Sequence, residues 1–226
     1  MEILYDGGIQ VVVFLQGLGE WLRGPMRLFS FLGDEYFFLL LMPIVYWAYD
    51  TRLGVRLGLL MLVSSSLSEM AKLLIHTARP FWYSTGIKAY LVETSFGMPS
   101  GHSFTASSVW GGLASFFRKA WIWIAAIFLI FFIGLSRVYN GVHFPHDLVT
   151  GWTFGGILLA VYVFLEKPVI TWFKKQGLVV KIAASFGLSL VLIFLVVLAK
   201  LSLAAFTVPD VWMQNAAAFF PEEAFD

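Results

Sequence analysis

Residues 120–135 read AWIWIAAIFLIFFIGL, and every one of them is apolar or glycine. A helix needs about 20 mostly apolar residues to cross a hydrocarbon core of roughly 30 Å, so this run indicates a helix that lies in lipid. Other segments qualify or nearly qualify, and we place the six predicted spans at about residues 28–49, 53–75, 103–117, 120–135, 148–165 and 179–198. The sequence therefore predicts an all-α protein, a six-helix transmembrane bundle.

The composition of the whole chain agrees with a membrane protein. Of its 226 residues, 59% are hydrophobic and 13% are charged. Soluble domains have about 45–50% apolar and about 25% charged residues. The chain has no cysteine, which excludes a disulfide scaffold, a cysteine-ligated zinc site and a thiol nucleophile. Its net charge of +1 argues against nucleic acid as a partner.

The two ends of the chain differ from the predicted spans. Residues 8–21 mix apolar side chains with glutamine and glutamate, a pattern that favours an amphipathic helix in the membrane interface. This stretch has no basic leader, which argues against a cleaved signal peptide. Residues 202–226 contain a Pro-Asp break and finish in acidic residues, and we expect them to form a surface or interfacial flap. No repeat or linker divides residues 1–226, so a single domain is expected.

The charges of the loops predict the orientation in the membrane. Six spans would place both termini and the loops 76–102 and 136–147 on one side. Eight of the fifteen Lys and Arg residues fall on the other side, namely Arg52, Arg56, Arg118, Lys119, Lys167, Lys174, Lys175 and Lys181. Basic loops stay cytoplasmic. We therefore expect a multi-pass protein of the cell membrane, with the 76–102 and 136–147 loops on the extracytoplasmic side.

A pair of cations follows the second predicted span. Lys72 and Arg79 are seven residues apart, close to two helical turns, so we expect both on one face of the helix as it leaves the membrane. Pro80 then discourages helix at Arg79. An ionisable residue within a span is costly and usually marks a functional site. The alternative is ordinary snorkelling of two long side chains to the interface.

The turn before the third predicted span has the composition of an anion-binding site. It reads Pro99-Ser100-Gly101-His102, and a small turn that enters a helix leaves backbone N–H groups without intrahelical partners. These groups and the positive end of the helix dipole attract anions. His102, at their edge, can donate or accept a proton near neutral pH. The alternative is a plain N-cap, with Ser100 as the cap and His102 solvated.

The third cluster lies between the fourth and fifth predicted spans and contains Ser136-Arg137, His143 and Asp147. If Pro145 starts the fifth helix, the spacing of four brings the carboxylate of Asp147 to the imidazole of His143. A carboxylate on one ring nitrogen fixes the tautomer and leaves the other nitrogen as a nucleophile. Arg137 adds a planar fork that suits phosphoryl oxygens. The alternative is a structural loop linked by ion pairs.

The three clusters together supply cations, a helix-terminal amide nest, two histidines and an orienting carboxylate at one membrane depth. This set favours phosphoryl transfer, in which catalysis consists mainly of positioning and of neutralising charge on the equatorial oxygens. The sequence has no HExxH array or acidic pair that would demand a metal.

The same residues carry a family resemblance. Three motifs resemble the complete signature of the type-2 phosphatidic acid phosphatase superfamily: Lys72-(six residues)-Arg79-Pro80, Pro99-Ser100-Gly101-His102, and Ser136-Arg137-(five residues)-His143-(three residues)-Asp147. That superfamily includes lipid phosphate phosphatases, polyprenyl diphosphate phosphatases, glucose-6-phosphatase and the soluble vanadium haloperoxidases. All signature positions are filled, and the resemblance covers residues 72–147 directly.

The resemblance implies a mechanism for this sequence. His143 would attack phosphorus to give a phosphohistidine, with Asp147 orienting its ring, while His102 would protonate the leaving oxygen and then help a water molecule to hydrolyse the intermediate. The phosphoryl oxygens would be held by the other signature residues, which are Lys72, Arg79, Arg137 and the backbone of Ser100 and Gly101. No metal or other cofactor is implied.

Three further polar residues lie near these motifs. Glu69 precedes Lys72 by three residues, so we expect it to hold the Lys72 side chain in place rather than to contact substrate. His76 and His146 fit no signature position, and we expect both at the rim of the site or behind the residues that touch substrate.

The substrate is less well defined by the sequence. A site at the membrane surface beside apolar helices favours a lipid phosphate or diphosphate, such as polyprenyl diphosphate, phosphatidylglycerol phosphate or phosphatidic acid. Membrane lipids would be the surrounding partners. The residues that flank the motifs resemble the glucose-6-phosphatase and dolichyl diphosphatase branches, for example at Glu93-Thr94-Ser95 and His143-Phe144-Pro145-His146. A sugar phosphate therefore stays open as the substrate.

Other functions stay open beside hydrolysis. A transporter or flippase could use buried charges to guide a headgroup across the membrane, although the charges here cluster near one surface. A lipid-binding scaffold would have no need of His102, His143 and Asp147 together. A phosphotransferase that passes the phosphoryl group to an acceptor other than water has the same residue requirements as a hydrolase.

Overall fold

The computed structural model describes residues 2–221 of the chain, and in these residues the secondary structure is helical. The α-helices are α1 (Glu2–Gly17), α2 (Arg23–Phe31), α3 (Glu35–Ile44), α4 (Thr51–Ile75), the single turn α5 (Pro80–Tyr83), α6 (Gly101–Phe117), α7 (Ala120–Tyr139), α8 (Pro145–Lys175), α9 (Leu178–Leu201) and α10 (Asp210–Phe219). Short 3-10 turns occupy Glu20–Leu22 and Ser202–Ala205, and a π-helical turn extends α3 over Val45–Tyr49. The all-α prediction is confirmed.

Four helical stretches of residues 2–221 are long and apolar enough to cross a membrane: Thr51–Tyr83, Ala120–Tyr139, Pro145–Lys175 and Leu178–Ala204. A fifth is obtained if the bent pair Glu20–Phe31 and Glu35–Tyr49 is one span. The chain is thus a multi-pass membrane protein. The predicted third span forms α6, but its 17 residues reach only about 25 Å at 1.5 Å per residue, so by its own length it does not qualify.

The first predicted span, residues 28–49, is wrong as a continuous helix. It is broken after α2, and the two halves are bent by 51°. The break has a local cause, because Asp34 accepts a hydrogen bond from the Tyr36 backbone N–H at 2.8 Å and so caps a new helix. A capping carboxylate competes with continued helix. The break brings Ser30 and Asp34 to the end of the bundle where the signature residues lie.

Helix α6 lies at the centre of the bundle, between α4, α7 and α8. Its small side chains let the neighbouring helices approach closely, as in other membrane bundles. Gly151 and Gly155 of α8 face it directly, and a Cβ atom at Gly155 would lie 2.4 Å from the Phe104 carbonyl oxygen. The third predicted span therefore packs among helices rather than against lipid. The close fit fixes the start of α6 against the start of α8.

Helix α9 has the opposite character, since its apolar side chains face outward along its length. Val179 and Phe194 are 80% and 60% exposed. Such exposure of large apolar side chains is expected where lipid replaces water as the solvent. The helix contacts the bundle through α4, and the Ser202 hydroxyl, just beyond its end, donates to the Leu73 carbonyl oxygen at 2.8 Å.

Helix α4 ends earlier than the spacing argument for the first cluster assumed. It stops at Ile75, and His76 takes a left-handed conformation with φ of 52°. Arg79 has extended backbone and precedes Pro80, the first residue of α5. The prediction that Lys72 and Arg79 share one helical face is therefore wrong. A connecting loop, not the helical period, carries the guanidinium to the site.

Helix α8 begins at Pro145, as predicted, but runs ten residues beyond the predicted end at 165. Hydropathy falls at Glu166-Lys167, yet both residue types are good helix formers, so the helix continues where the apolar pattern stops. Its 31 residues extend about 46 Å, which is longer than the hydrocarbon core of roughly 30 Å.

Both terminal helices pack beside the signature loops. Tyr5 and Val12 of α1 are buried, and this helix contacts α5, α7 and α8; its location in the membrane interface stays a prediction. Helix α10 packs on α5, and the Asn215 side chain donates to the Trp82 carbonyl oxygen at 3.0 Å. The predicted flap is therefore a docked helix in its described part, and its acidic residues 222–226 lie outside the described residues.

Candidate functional site

The Arg79 guanidinium is the centre of the site. It is fully buried, and it is fixed by the loop that precedes α6 and by the turn that precedes α8. Its Nε donates to the Ser95 carbonyl oxygen at 2.5 Å, and its Nη1 donates to the Val142 carbonyl oxygen at 2.9 Å. The same Nη1 lies 3.3 Å from His143 Nε2. These contacts join residues that are far apart in the sequence into one cluster.

The His143 imidazole lies between a guanidinium and a carboxylate. On one side is Arg79, and on the other Nδ1 lies 3.3 Å from Asp147 Oδ2. A guanidinium can only donate, so the hydrogen bond from Arg79 assigns the lone pair to Nε2 and the proton to Nδ1. Asp147 is fixed in turn by the Phe144 backbone N–H, which donates to Oδ2 at 2.9 Å. The predicted contact between imidazole and carboxylate is confirmed, and the ring directs the lone pair of Nε2 toward Arg79.

Burial is the main reason that the pKa of His143 lies well below the ordinary histidine value, and the nearby guanidiniums of Arg79 and Arg137 lower it further. The imidazole is consequently neutral at pH 7. A neutral ring whose Nδ1 proton is held by a carboxylate is the form in which histidine acts as a nucleophile.

Glu93 lies where the sequence analysis placed no site residue. Its carboxylate bridges the two arginines, with one oxygen 3.3 Å from Arg79 Nη2 and the other in a very short contact with Arg137 Nη2. Burial acts to raise the pKa of Glu93, but the two guanidiniums outweigh it and hold that pKa well below the ordinary range. Glu93 is therefore ionised, and an anion already lies between the cations.

Arg137 reaches the site from the last turn of α7. Its side chain is 2% exposed, and its Nη1 donates to the Ser30 hydroxyl at 2.7 Å. Ser30 comes from the end of α2, just before the break in the first predicted span. The serine has no sequence signal of its own, because its position depends on that break. It holds one arm of the guanidinium and directs the other toward Glu93.

Lys72 enters from the last turn of α4. Its Nζ donates to Glu69 Oε1 at 2.6 Å, which confirms the predicted contact, and to the Ser95 hydroxyl at 3.0 Å. Arg79 Nη2 donates to the same hydroxyl at 3.0 Å. A Cβ atom at Gly101 would lie 3.7 Å from Lys72 Nζ, so the ammonium group is beside the first residue of α6. Ser95 links two of the three cations, and it too was missed by the sequence analysis.

Ser100 caps the start of α6, as expected if the turn is a plain N-cap. The Ser100 hydroxyl accepts a hydrogen bond from the Ser103 backbone N–H at 3.4 Å. Ser100 is also tied to α8, since its backbone N–H donates to the Asp147 carbonyl oxygen at 2.9 Å. The N–H groups of Gly101 and His102 belong to the first helical turn and have no intrahelical acceptor. The cap therefore leaves these two N–H groups available, and anion binding at this turn stays a prediction.

His102 lies near the break between α2 and α3. Its Nε2 is 3.9 Å from Asp34 Oδ2, at the break between α2 and α3. The ring lines a cavity of about 340 Å³ together with Lys72, Glu93 and Gly101. His143 is 2% exposed and does not line this cavity within the described residues. Glu93 lines the cavity and contacts Arg79, which in turn contacts His143.

The remaining predicted polar residues lie outside this cluster. His146 packs on Phe144 with ring centroids 5.2 Å apart, and its Nε2 is 3.4 Å from the second oxygen of Asp147. It thus contacts Asp147 from the side of Phe144, and its place behind the residues that touch substrate stays a prediction. His76 stacks on Phe206 at 4.5 Å, away from the cations. Among residues 2–221, no group of three or more His, Asp and Glu side chains is placed to hold a metal ion.

Comparison with known proteins gives consistent matches. The sequence profile described as "PAP2 superfamily" matches residues 53–176, which contain every signature residue. An undecaprenyl-diphosphatase of Sulfolobus acidocaldarius is 30% identical over 150 residues, or 64% of this chain and 71% of that protein. Glucose-6-phosphatase 3 of Homo sapiens is 28% identical over 183 residues, which are 70% of this chain but 53% of the human protein. The chain therefore spans about half the length of that relative.

A solved structure has the same fold. The transmembrane PAP2-type phosphatidylglycerolphosphate phosphatase from Bacillus subtilis superposes with a TM-score of 0.64 at 25% sequence identity. The superposition covers 74% of this chain and 87% of that chain.

Proposed function

Because this chain belongs to the PAP2 superfamily, we propose that it is a membrane phosphatase that hydrolyses a lipid phosphomonoester or diphosphate through a phosphohistidine at His143. The profile match confirms the resemblance that the three motifs carry. The proposal keeps the predicted substrates, which are polyprenyl diphosphate, phosphatidylglycerol phosphate and phosphatidic acid, and needs no metal or other cofactor.

One observation carries the proposal. A carboxylate lies between Arg79 and Arg137, and the Arg79 guanidinium that binds it also contacts the lone pair of His143. A carboxylate and a phosphoryl group present similar pairs of oxygens to a guanidinium fork. A phosphoryl group that replaces the Glu93 carboxylate would therefore lie within reach of the His143 Nε2 lone pair.

The reaction then has two steps. His143 Nε2 forms a bond to phosphorus while the bond from phosphorus to the leaving oxygen breaks, and His102 donates a proton to that oxygen. Water, deprotonated by His102, next attacks the phosphohistidine, which releases phosphate and restores the imidazole. Asp147 holds the Nδ1 proton throughout. Lys72, Arg79, Arg137 and the backbone N–H of Gly101 stabilise the charge on the equatorial oxygens, whereas the backbone N–H of Ser100, also expected to do so from the resemblance, is bound to the Asp147 carbonyl oxygen.

Glu93 must leave the arginines before substrate can bind. Its carboxylate would repel the phosphoryl group, and it fills the position between both guanidiniums. Glu93 is about one quarter exposed and borders the cavity, so it can rotate toward the cavity without crossing buried residues. In the free enzyme it also neutralises two buried cations, which would otherwise carry a large desolvation cost.

The class of substrate is tested by a phosphate-release panel. The purified protein is incubated with polyprenyl diphosphate, phosphatidylglycerol phosphate, phosphatidic acid and glucose 6-phosphate. We expect lipid substrates to have the higher kcat/KM, since the last turns of α9 expose Val197, Leu198 and Leu201 at the end of the bundle where α4 carries Lys72. Glucose 6-phosphate is the second candidate because of the 28% identity to glucose-6-phosphatase 3. A preference for glucose 6-phosphate would overturn the lipid assignment, and transfer to an added alcohol without release of phosphate would make the protein a phosphotransferase.

We also propose that α6 crosses the membrane, which brings the number of spans to six, and that the candidate site faces the extracytoplasmic side. Helix α6 lies between qualifying spans, so protein rather than lipid covers it, and a short helix suffices. The chain has no cysteine, so a single introduced thiol reports the side. Thr85→Cys should react with an impermeant maleimide on intact cells, whereas Lys175→Cys should react only after lysis. The reverse pattern would invert the topology.

A further inference from the structure

A second charged cavity lies at the end of the bundle opposite to the candidate site. Its volume is about 610 Å³, and it is formed by the start of α4, the end of α6 and the last third of α8. Along α4, Arg56 in this cavity and Lys72 in the candidate site are sixteen residues apart, which is about 24 Å of helix. The two cavities are therefore at opposite membrane surfaces, and nothing in the proposed reaction uses the second one.

The charges around this cavity, which we call the basic cavity, are strongly unbalanced. Among the described residues, Glu166 is the one acidic side chain that lines it, against five cationic side chains: Arg52, Arg56, Arg118, Lys167 and Lys174. Topogenic basic residues are normally scattered and solvated at the cytoplasmic ends of spans. Here the cations converge on one concave surface, which raises the local positive potential.

Arg56 distinguishes the basic cavity from an ordinary basic surface. It is 5% exposed, its Nη1 is 3.2 Å from Glu166 Oε2, and its Nη2 donates to the Ser115 hydroxyl at 2.6 Å. Its Nε is buried and has no hydrogen-bond partner in the described residues. A buried guanidinium with an unpaired N–H is costly, and the charge of an anion in the adjoining cavity would offset part of that cost.

The shape of the surroundings favours a ligand with an apolar part. An adjoining cavity, of about 670 Å³, shares Arg56 and Lys167 and is also lined by Val163 and Phe164. Phe164 is 80% exposed on the lipid-facing surface of α8. A headgroup in the basic cavity could thus continue into an acyl chain along α8. Basic pockets between transmembrane helices at this depth are suited to anionic headgroups.

From these observations we propose that the basic cavity is a second anion site, which binds a phosphate group without hydrolysing it. Phosphate oxygens fit the fork of Arg56 and the surrounding lysines. The ligand is an anionic phospholipid headgroup or free phosphate, which share this chemistry. The site is independent of the proposed phosphatase activity, because its residues touch none of the groups assigned to the reaction.

The test compares two double variants that remove the same charge. Lys167→Gln with Lys174→Gln neutralises two exposed lysines of the basic cavity, and Lys175→Gln with Lys181→Gln neutralises two lysines at the same end of the bundle that do not line it. Native mass spectrometry of the purified full chain measures retention of phosphatidylglycerol, with phosphatidylcholine as the neutral control. Phosphatidylglycerol is a phosphodiester and is not a substrate of the proposed reaction.

We expect phosphatidylglycerol to bind the wild type and the control pair equally, and to bind the cavity pair about fivefold more weakly for each lysine removed. Phosphate release should be the same in all three proteins, which shows that they are folded. If inorganic phosphate instead raises the Tm of the wild type in phosphatidylcholine, and less so for the cavity pair, the ligand is free phosphate. Equal phosphatidylglycerol binding by both pairs together with equal phosphate-induced Tm shifts, or equal loss of binding in both pairs, would overturn the proposal.

Discussion

The contact between Glu93 and the two arginines leads to a quantitative prediction for Glu93→Gln. Each bond in this bridge joins a carboxylate to a guanidinium that is buried to 98% or more, and hydrogen bonds to charged groups contribute about 1.5–3 kcal/mol. Glu93 is about one quarter exposed, so solvent screens the bridge, and glutamine retains one acceptor oxygen. We therefore expect Glu93→Gln to weaken the binding of side chain 93 to the two arginines by about 1.4 kcal/mol. This is the position that the phosphoryl group would occupy.

That loss should appear as tighter anion binding. The site can bind phosphate only in the fraction of molecules in which residue 93 has moved away, and the apparent Kd equals the intrinsic Kd divided by that fraction. Glu93→Gln increases the fraction and should therefore lower the Ki of inorganic phosphate about tenfold. Competitive inhibition of phosphate release measures this directly, with vanadate as a second inhibitor that mimics the five-coordinate phosphorus.

The matched control for this prediction is Glu69→Gln. It removes one negative charge beside Lys72 but no group from between the arginines. Its Ki should fall much less than that of Glu93→Gln. Equal effects in the two variants would mean that general charge, not occupancy of the site, controls binding, and an unchanged or raised Ki in Glu93→Gln would refute the reasoning.

Three further predictions concern the nucleophile and the helix packing. Asp147→Asn should lower kcat about 10²–10⁴-fold without loss of folding, because the amide no longer stabilises a charged His143 ring. The control His146→Gln should lower kcat much less. Equal kcat values for the two variants would contradict the assigned tautomer. Gly155→Ala should destabilise the fold by about 1–3 kcal/mol, since its Cβ would lie 2.4 Å from a carbonyl oxygen of α6. Gly156→Ala, with open space around it, should not lower the Tm, and the two Tm values measured side by side decide the point. The lowered pKa of His143 keeps the ring neutral down to more acidic pH, so the acid limb of kcat/KM for the free enzyme should lie below about pH 6.5; an acid limb above that value would show that the ring is not desolvated.

The sequence predicted most of the helices because their signals are local. The apolar runs that define α4, α7 and α9 need no tertiary information, and Pro145 marks the start of α8. The contact of His143 with Asp147 followed for the same reason, since a spacing of four at a helix start leaves little freedom. Where charge replaced apolar residues, as beyond residue 165, hydropathy ended before the helix did.

The parts that the sequence did not predict depend on long-range contacts. Arg79 was assigned to the site for a wrong reason, because the loop after His76 and not the helical period positions it. Glu93 and Ser95 lie in an irregular segment without periodicity, so nothing local indicates that they contact the cations. The one available signal was an acidic residue between two motifs that supply three cations, of which Arg79 and Arg137 had no assigned counter-ion. Ser30 could not be found, because it depends on the break after α2.

The central claim is that phosphorus is transferred to the His143 imidazole. The most direct measurement is rapid acid-free quenching of the purified protein during turnover of radiolabelled lipid phosphate, followed by peptide mapping of the label. The account predicts an acid-labile, alkali-stable phosphoryl group on the peptide that carries His143, absent from His143→Ala, which should also release no phosphate. A label on another residue, or near wild-type phosphate release by His143→Ala, would contradict it.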